Sequence, residues 1–363
     1  MPLPTMSDLR EHARERLSAA VWDFIEGGSG AERTLREAEA AYAELRLRPR
    51  VLVDVSQPDC SVEILGDLLA SPVGVAPMAY HQLVHPDGET ATAEAAGIAG
   101  VLLVTGIFAS RTLEETAAAA SGPLWLQLYW LRRREALAAL VARAEAAGYR
   151  ALVLTVDAPK VAVRPRDRRN SFTLPADITA ANLDPALTER SHRAAGGTSG
   201  IEEHAREQFD PSITWSDLAW LRARTRLPLV LKGVLTGEDA ALAVEHGIDA
   251  LIVSNHGGRQ LDRAVTALEA LPEIVAAVPA DLPVLIDGGI RSGTDIAVAL
   301  ALGARAVLVG RPVLWGLACD GAKGAAGVLE LLRTELLDTM ILSGRPTLDR
   351  LDASAVTRRA AHR

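Results

Sequence analysis

The chain has 363 residues and carries 38 Lys and Arg against 46 Asp and Glu, a formal charge of −8. Nucleic-acid and anionic-membrane binding need a basic face, so this balance argues against both, and any anion site must be local. Two cysteines, Cys60 and Cys319, lie far apart and outside metal-ligand spacing; they imply neither a disulfide framework nor a zinc site and fit a reducing cytoplasm.

The N-terminus lacks a basic start followed by an apolar core, and no run reaches the ~18 apolar residues of a membrane helix, so a soluble, cytoplasmic protein is expected. Ser7-Asp8 reads as an N-cap for a helix continuing through Leu9, Ala13, Leu17, Trp22, Phe24 and Ile25 until Gly27-Gly28 stops it. A second, charged helix is predicted over 31–43. Short alternating pieces at 48–54 and 61–66 suggest a lid or hairpin packed outside the main fold.

From residue 73 the pattern becomes a repeated beat of short apolar strand, polar turn and Ala/Leu-rich helix. Eight strands are predicted, at 73–77, 101–104, 124–129, 151–156, 229–232, 250–254, 284–287 and 306–309. Helices are predicted at 89–99, 113–120, 134–147, 215–224, 238–246 and 294–301. Eight such units imply an α/β fold of the closed (β/α)8 type, a TIM barrel, where an open doubly wound sheet would show five or six strands. The expected organisation is a single domain over 1–363: N-terminal helices and hairpin at 1–72, the barrel at 73–312 and C-terminal helices at 313–363. A long polar loop, 160–214, interrupts the beat after strand four with Gly196-Gly197-Thr198-Ser199-Gly200 in its middle, and a loop of that length predicts a mobile active-site cover. Val328, Leu331, Leu332, Leu336 and Leu337 repeat at helical spacing near the C-terminus, ahead of a basic tail expected to fray.

In such a barrel the catalytic face gathers the residues at the C-terminal strand ends. Here these are Gln127 and Tyr129, Thr155 and Asp157, Lys232, Ser254 with His256 and Arg259, Asp287, and Gly310-Arg311. The stretch Ser254-Asn255-His256-Gly257-Gly258-Arg259-Gln260-Leu261-Asp262 puts a proton acceptor and a fixed cation three residues apart with bulk removed between them. Asp287-Gly288-Gly289-Ile290-Arg291 after strand seven and Gly310-Arg311 after strand eight form a Gly-rich, arginine-flanked pair of turns. Backbone N–H groups in such turns bind phosphate, and this is the recurrent phosphate position of these barrels.

From about Ser7 to about Ser343 the chain resembles the FMN-dependent α-hydroxy acid oxidases and dehydrogenases, most specifically in Ser254 to Asp262. The resemblance implies an FMN cofactor and His256 as the active-site base, oriented by Asp157. It implies that Arg164 and Arg259 clamp a substrate carboxylate, that Tyr129 bonds the substrate oxygen, and that Lys232 sits at the flavin pyrimidine edge. Gln127, Thr155 and Ser254 would meet the ring edge, with the backbone of Ala76, Pro77, Met78 and Ala79 along its face. Asp287 would hold ribityl hydroxyls, and Gly288, Gly289, Arg291, Gly310 and Arg311 the phosphate. No metal is implied, and the family usually forms homotetramers.

Three departures bear on substrate choice: Phe24 where many members have tyrosine, Gly106 in place of a serine, and Phe108 where glycolate oxidases have tryptophan. Phe24, Met78, Tyr80 and Phe108 make an apolar wall suited to an aryl group, as in the hydroxymandelate oxidase branch. The implied reaction is oxidation of an (S)-2-hydroxy acid, aromatic in preference, to the 2-keto acid with O2 reduced to H2O2. A small aliphatic substrate, a non-O2 acceptor, an isomerase-type phosphate barrel and a non-catalytic flavin protein are the alternatives.

Overall fold

The computed structural model describes residues 5–184, 189–192 and 199–359. Its centre is a closed barrel of eight strands: β1 (Val73–Val75), β2 (Leu103–Gly106), β3 (Leu124–Leu128), β4 (Ala151–Thr155), β5 (Leu229–Val234), β6 (Ala250–Val253), β7 (Val284–Asp287) and β8 (Ala306–Val309). Each pairs in parallel with its successor, and β8 returns to β1 through Val307 opposite Val73 and Val309 opposite Val75. The strands are near-continuous apolar runs because helices cover them outside and side chains fill them inside. Leu102, Val104, Trp125, Val153, Ile252 and Leu308 form that inner core.

The predicted ranges of β7 and β8 coincide with the observed ones, and the others shift by a residue or two. Four expectations need correction. The N-terminal helix is two, Met6–Arg16 and Ala19–Glu26, because Leu17 turns extended and the Ser18 hydroxyl accepts the Val21 N–H as a fresh N-cap. The hairpin Val62–Ile64/Asp67–Leu69 is not outside the fold: Val62, Ile64 and Leu69 plug the barrel core from below. The basic tail does not fray through Arg358, since Val356–Arg358 pairs antiparallel with Leu45–Leu47; residues 360–363 lie outside the described residues. Over 215–224 a tight turn, Trp215–Asp217, precedes a short helix, Leu218–Arg222. A helix at Ala267–Ala277, capped by Thr266 with Glu269, goes unpredicted because Pro272 sits inside it.

Two further elements shape the site. The loop after β4 contains helices Pro165–Arg169 and Gly200–Gln208, joined by the Arg168–Glu202 ion pair at 2.7 Å. Ser199 caps the second of these, whereas Gly196, Gly197 and Thr198 lie outside the described residues. Asp262, the last residue of the Ser254 segment, points away from chemistry: its carboxylate accepts the backbone N–H groups of Ala31, Arg33 and Thr34 and so starts the helix Arg33–Ala43. Among the described residues no helix is long and apolar enough to cross a membrane, and no His, Cys, Asp or Glu cluster could hold a metal.

Candidate active site

Beyond the C-terminal end of β6 the chain turns sharply, with His256 at φ 59 and Gly257 at φ 62. The Ser254 hydroxyl accepts the His256 N–H at 3.0 Å, and Asn255 Oδ1 accepts the Gly258 N–H at 3.2 Å, which fixes the turn. The His256 imidazole thereby meets Asp157, two residues beyond β4, with Nδ1 and Oδ1 2.9 Å apart. Gly233 makes room for that carboxylate, because a Cβ there would sit 2.6 Å from Asp157 Cβ. A carboxylate on Nδ1 selects the tautomer with the proton there, leaving Nε2 as the acceptor on the cavity that His256 lines.

Two guanidiniums border the same cavity. Arg164 is buried, and among the described residues its Nε has no hydrogen-bond partner and the nearest carboxylate oxygen, Asp167 Oδ2, is 3.9 Å away. Arg259 donates to the carbonyls of Phe24 and Gly27, each at 2.7 Å, which holds its fork in place. Burial, followed by the like charge of Arg164, pulls the Arg259 pKa well down, and burial also lowers that of Arg164. Asp167 is itself raised by burial. Two desolvated cations with one poorly placed counter-charge create a demand for an anion in the cavity.

Farther round the barrel mouth the Lys232 ammonium is buried between Asp287 Oδ2 at 2.8 Å and Ser254 Oγ at 2.7 Å. Asp287 Oδ1 is buried with no partner. Gln127 Nε2 donates to Thr155 Oγ1 at 2.9 Å. Beyond Asp287, Gly288 and Gly289 take φ 96 and 81, and a Cβ on Gly289 would lie 2.1 Å from the Ala38 carbonyl oxygen. Gly310 precedes the helix Arg311–Leu342, whose axis breaks at Asp320 and Gly321. The Arg311 guanidinium donates to the carbonyls of Ile25 and Gly257, and burial draws its pKa down to about 10. Arg291 pairs with Glu39 at 2.8 Å and lies over the Trp315 ring. Gly289→Ala is expected to cost about 2–4 kcal/mol from the clash and the left-handed backbone, read as a lower urea midpoint and weaker flavin retention.

The opposite wall is aromatic. Phe108 packs near Tyr80 (6.3 Å between centroids), Tyr129 (5.6 Å) and Phe209 (5.9 Å), and Tyr129 stacks on Phe209 at 4.4 Å. Phe24 lines the cavity and is stacked from behind by Phe172 at 4.5 Å. Every residue given a site role from the sequence borders this one cavity except Asp157 and Ser254, which stand behind His256 and Lys232. The sequence reading missed Ile201, His204, Ala205 and Phe209, which the loop after β4 brings to the wall, together with Val161, Leu83 and Val84. The position of Gly200–Gln208 inside a polar loop hid them, although Ile201, Ala205 and Phe209 are spaced four apart.

The cavity thus has a hydrogen-bonding edge at Gln127, Thr155 and Lys232, an unpaired carboxylate oxygen at Asp287, and an anion cradle at Gly289, Gly310 and Arg311. A Cβ on Gly310 would come 3.2 Å from Met78 Sδ, and one on Gly106 would come 3.0 Å from Gln127 Oε1, so the glycines keep the channel between these ends open. A ring system, a polyhydroxyl chain and a phosphate in that order fit these groups, and FMN has that order. A family model described as FMN-dependent dehydrogenase matches residues 13–358. The chain is 49% identical over 346 residues to an L-lactate oxidase of Nostoc sp., covering 94% of each chain. It is 47% identical over 344 residues to a 4-hydroxymandelate oxidase of Amycolatopsis orientalis, covering 95% of each. A solved structure of mandelate oxidase with (S)-4-hydroxymandelic acid is 45% identical with a TM-score of 0.94, covering 98% of both chains. With the barrel, the anion cradle and these matches in agreement, the chain belongs to the FMN-dependent dehydrogenase family and is an FMN-dependent oxidoreductase.

Proposed function

We propose that the protein oxidises an (S)-2-hydroxy acid with an aromatic side chain, of the mandelate or 4-hydroxymandelate type, to the 2-keto acid, with O2 reduced to H2O2. One observation carries the reading: an imidazole paired to a carboxylate, His256–Asp157, shares a cavity with two buried guanidiniums short of an anion and with an aromatic wall. Bound in this cavity, FMN supplies the two-electron acceptor. Arg164 and Arg259 take the substrate carboxylate and fix its orientation, since misplacement by an ångström costs about a hundredfold in rate. Tyr129 bonds the substrate hydroxyl. His256 Nε2 takes up a proton as the substrate loses two electrons, and Asp157 stabilises the imidazolium that results.

Lys232, Gln127 and Thr155 hold the ring edge, with Ser254 positioning Lys232. Ala76 to Ala79 line the ring face, Asp287 takes ribityl hydroxyls, and Gly288, Gly289, Arg291, Gly310 and Arg311 the phosphate. Phe24, Tyr80 and Phe108 receive the substrate side chain. The reading extends to one domain, a cytoplasmic location and a homotetramer, the last tested by light scattering.

The likeness to an L-lactate oxidase favours a second reading, a small aliphatic hydroxy acid. Steady-state comparison of (S)-mandelate with (S)-lactate separates the two. Burying a phenyl ring against the aromatic wall contributes about 1.5–3 kcal/mol, so kcat/KM for mandelate is expected to exceed that for lactate by about 10- to 100-fold, with one H2O2 per 2-keto acid. A preference for lactate overturns the aryl reading, and turnover with an artificial dye but without peroxide in air overturns O2 as acceptor.

A further inference from the structure

We propose that Tyr80 reads a hydroxyl on the substrate's aromatic ring, which makes the enzyme prefer hydroxyaryl over plain aryl 2-hydroxy acids. The inference rests on the aryl reading of the site and deepens it. Tyr80 lines the cavity yet is only 2% exposed, so its phenol belongs to the site and not to the outer surface. Its backbone is held by its N–H donating to the Phe108 carbonyl and by its carbonyl accepting the Leu83 N–H. Among the described residues, no hydrogen bond reaches its hydroxyl. Unlike the Tyr42 hydroxyl, it is not one of the fully enclosed unpartnered groups of the described residues, so it opens to the cavity and is available to a ligand.

The backbone gives independent support. Tyr80 sits at φ 56 and ψ 57, a left-handed conformation that a bulky residue avoids. Such outliers persist where surrounding structure over-determines them, and they cluster at ligand-contacting positions. An extended or right-handed residue 80 would aim the side chain elsewhere; this conformation brings the ring to 6.3 Å from Phe108, on the aromatic wall. Leu83, Val84, Phe108 and Phe209, which share that wall, are apolar, so a polar substituent arriving there has few groups to meet. The phenol of Tyr80 both donates and accepts, and it matches a ring hydroxyl in either role. Burial raises its pKa, which keeps it neutral across the working range. His204, 5.5 Å from Phe108, and Tyr129, 5.6 Å from it, are the competing polar groups among the described residues.

The test is the ratio of kcat/KM for 3- and 4-hydroxymandelate to that for mandelate, measured in the wild type, Tyr80→Phe and His204→Phe holoenzymes. A ratio within one preparation does not depend on how much of the variant folds, and Tyr80→Phe removes one oxygen and no bulk. A hydrogen bond made only by the hydroxylated ring predicts that Tyr80→Phe lowers the ratio about tenfold at one of the two ring positions. Binding of the matching 2-keto acids, followed by perturbation of the flavin spectrum, is expected to show the same loss. Ratios unchanged in Tyr80→Phe, or moved only in His204→Phe, overturn the proposal while leaving the aryl reading intact. A wild type that turns over none of the aryl substrates, yet oxidises lactate, overturns both.

Discussion

His256→Ala is expected to yield a folded yellow protein whose flavin is bleached by (S)-mandelate about a hundred to ten thousand times more slowly than in the wild type. The expectation follows from the geometry. Nδ1 is committed to Asp157 at 2.9 Å, so Nε2 is left as the acceptor on the cavity that His256 lines. The groups proposed to hold the flavin lie elsewhere, at β7, β8 and the Lys232–Asp287 pair, so the variant should keep its colour. Anaerobic stopped-flow absorbance measures the bleaching; a variant that bleaches as fast as the wild type would remove His256 from the chemistry.

Arg164→Met should act on binding as well as rate. Among the described residues Arg164 Nε has no hydrogen-bond partner; the guanidinium lies 3.9 Å from Asp167 and shares a buried space with the like-charged Arg259. That leaves its charge available to a ligand. Losing one member of a buried, charge-assisted contact costs about 2–5 kcal/mol, so kcat/KM is expected to fall about 30- to several-thousandfold, with a parallel weakening of 2-keto acid binding. The melting temperature is expected to hold, because the substitution removes a repulsion. A drop in melting temperature with an unchanged KM would instead make Arg164 a structural residue. Arg259 is less clean to test, since it also ties down the carbonyls of Phe24 and Gly27.

The barrel and the glycine turns after β7 and β8 were legible because both are written in contiguous residues. β7 is three apolar residues closed by Asp287, β8 is four apolar residues ending before Gly310, and the left-handed Gly288-Gly289 turn admits little but glycine. The pairing of His256 with Asp157 is different. The two stand 99 positions apart, beyond the ends of strands separated by β5, and the consecutive parallel pairing of β4, β5 and β6 brings them within 2.9 Å. Family likeness named the pair; spacing could not. The plug at the barrel floor was hidden because three-residue strands carry almost no periodicity. The cover helix Gly200–Gln208 was hidden for a related reason: its outer face is charged, and its inward face shows only once the wall it completes is known.

Substrate choice was the least legible feature. Phe24, Tyr80 and Phe108 read from the sequence as one apolar wall, and the structure adds Phe209 stacked on Tyr129 and His204 edge-on to Phe108. Relatives with both lactate and hydroxymandelate in their names match over nearly the whole chain, so overall identity does not separate the two side chains. The separation rests on a few wall residues, where a single oxygen such as that of Tyr80 can decide the ranking.

The most direct measurement is an anaerobic titration of the purified yellow holoenzyme with (S)-4-hydroxymandelate, following flavin absorbance and 2-keto acid together. The account predicts complete bleaching with one 2-keto acid formed per flavin. A flavin that stays oxidised with this acid, and equally with mandelate, lactate and glycolate, would contradict it.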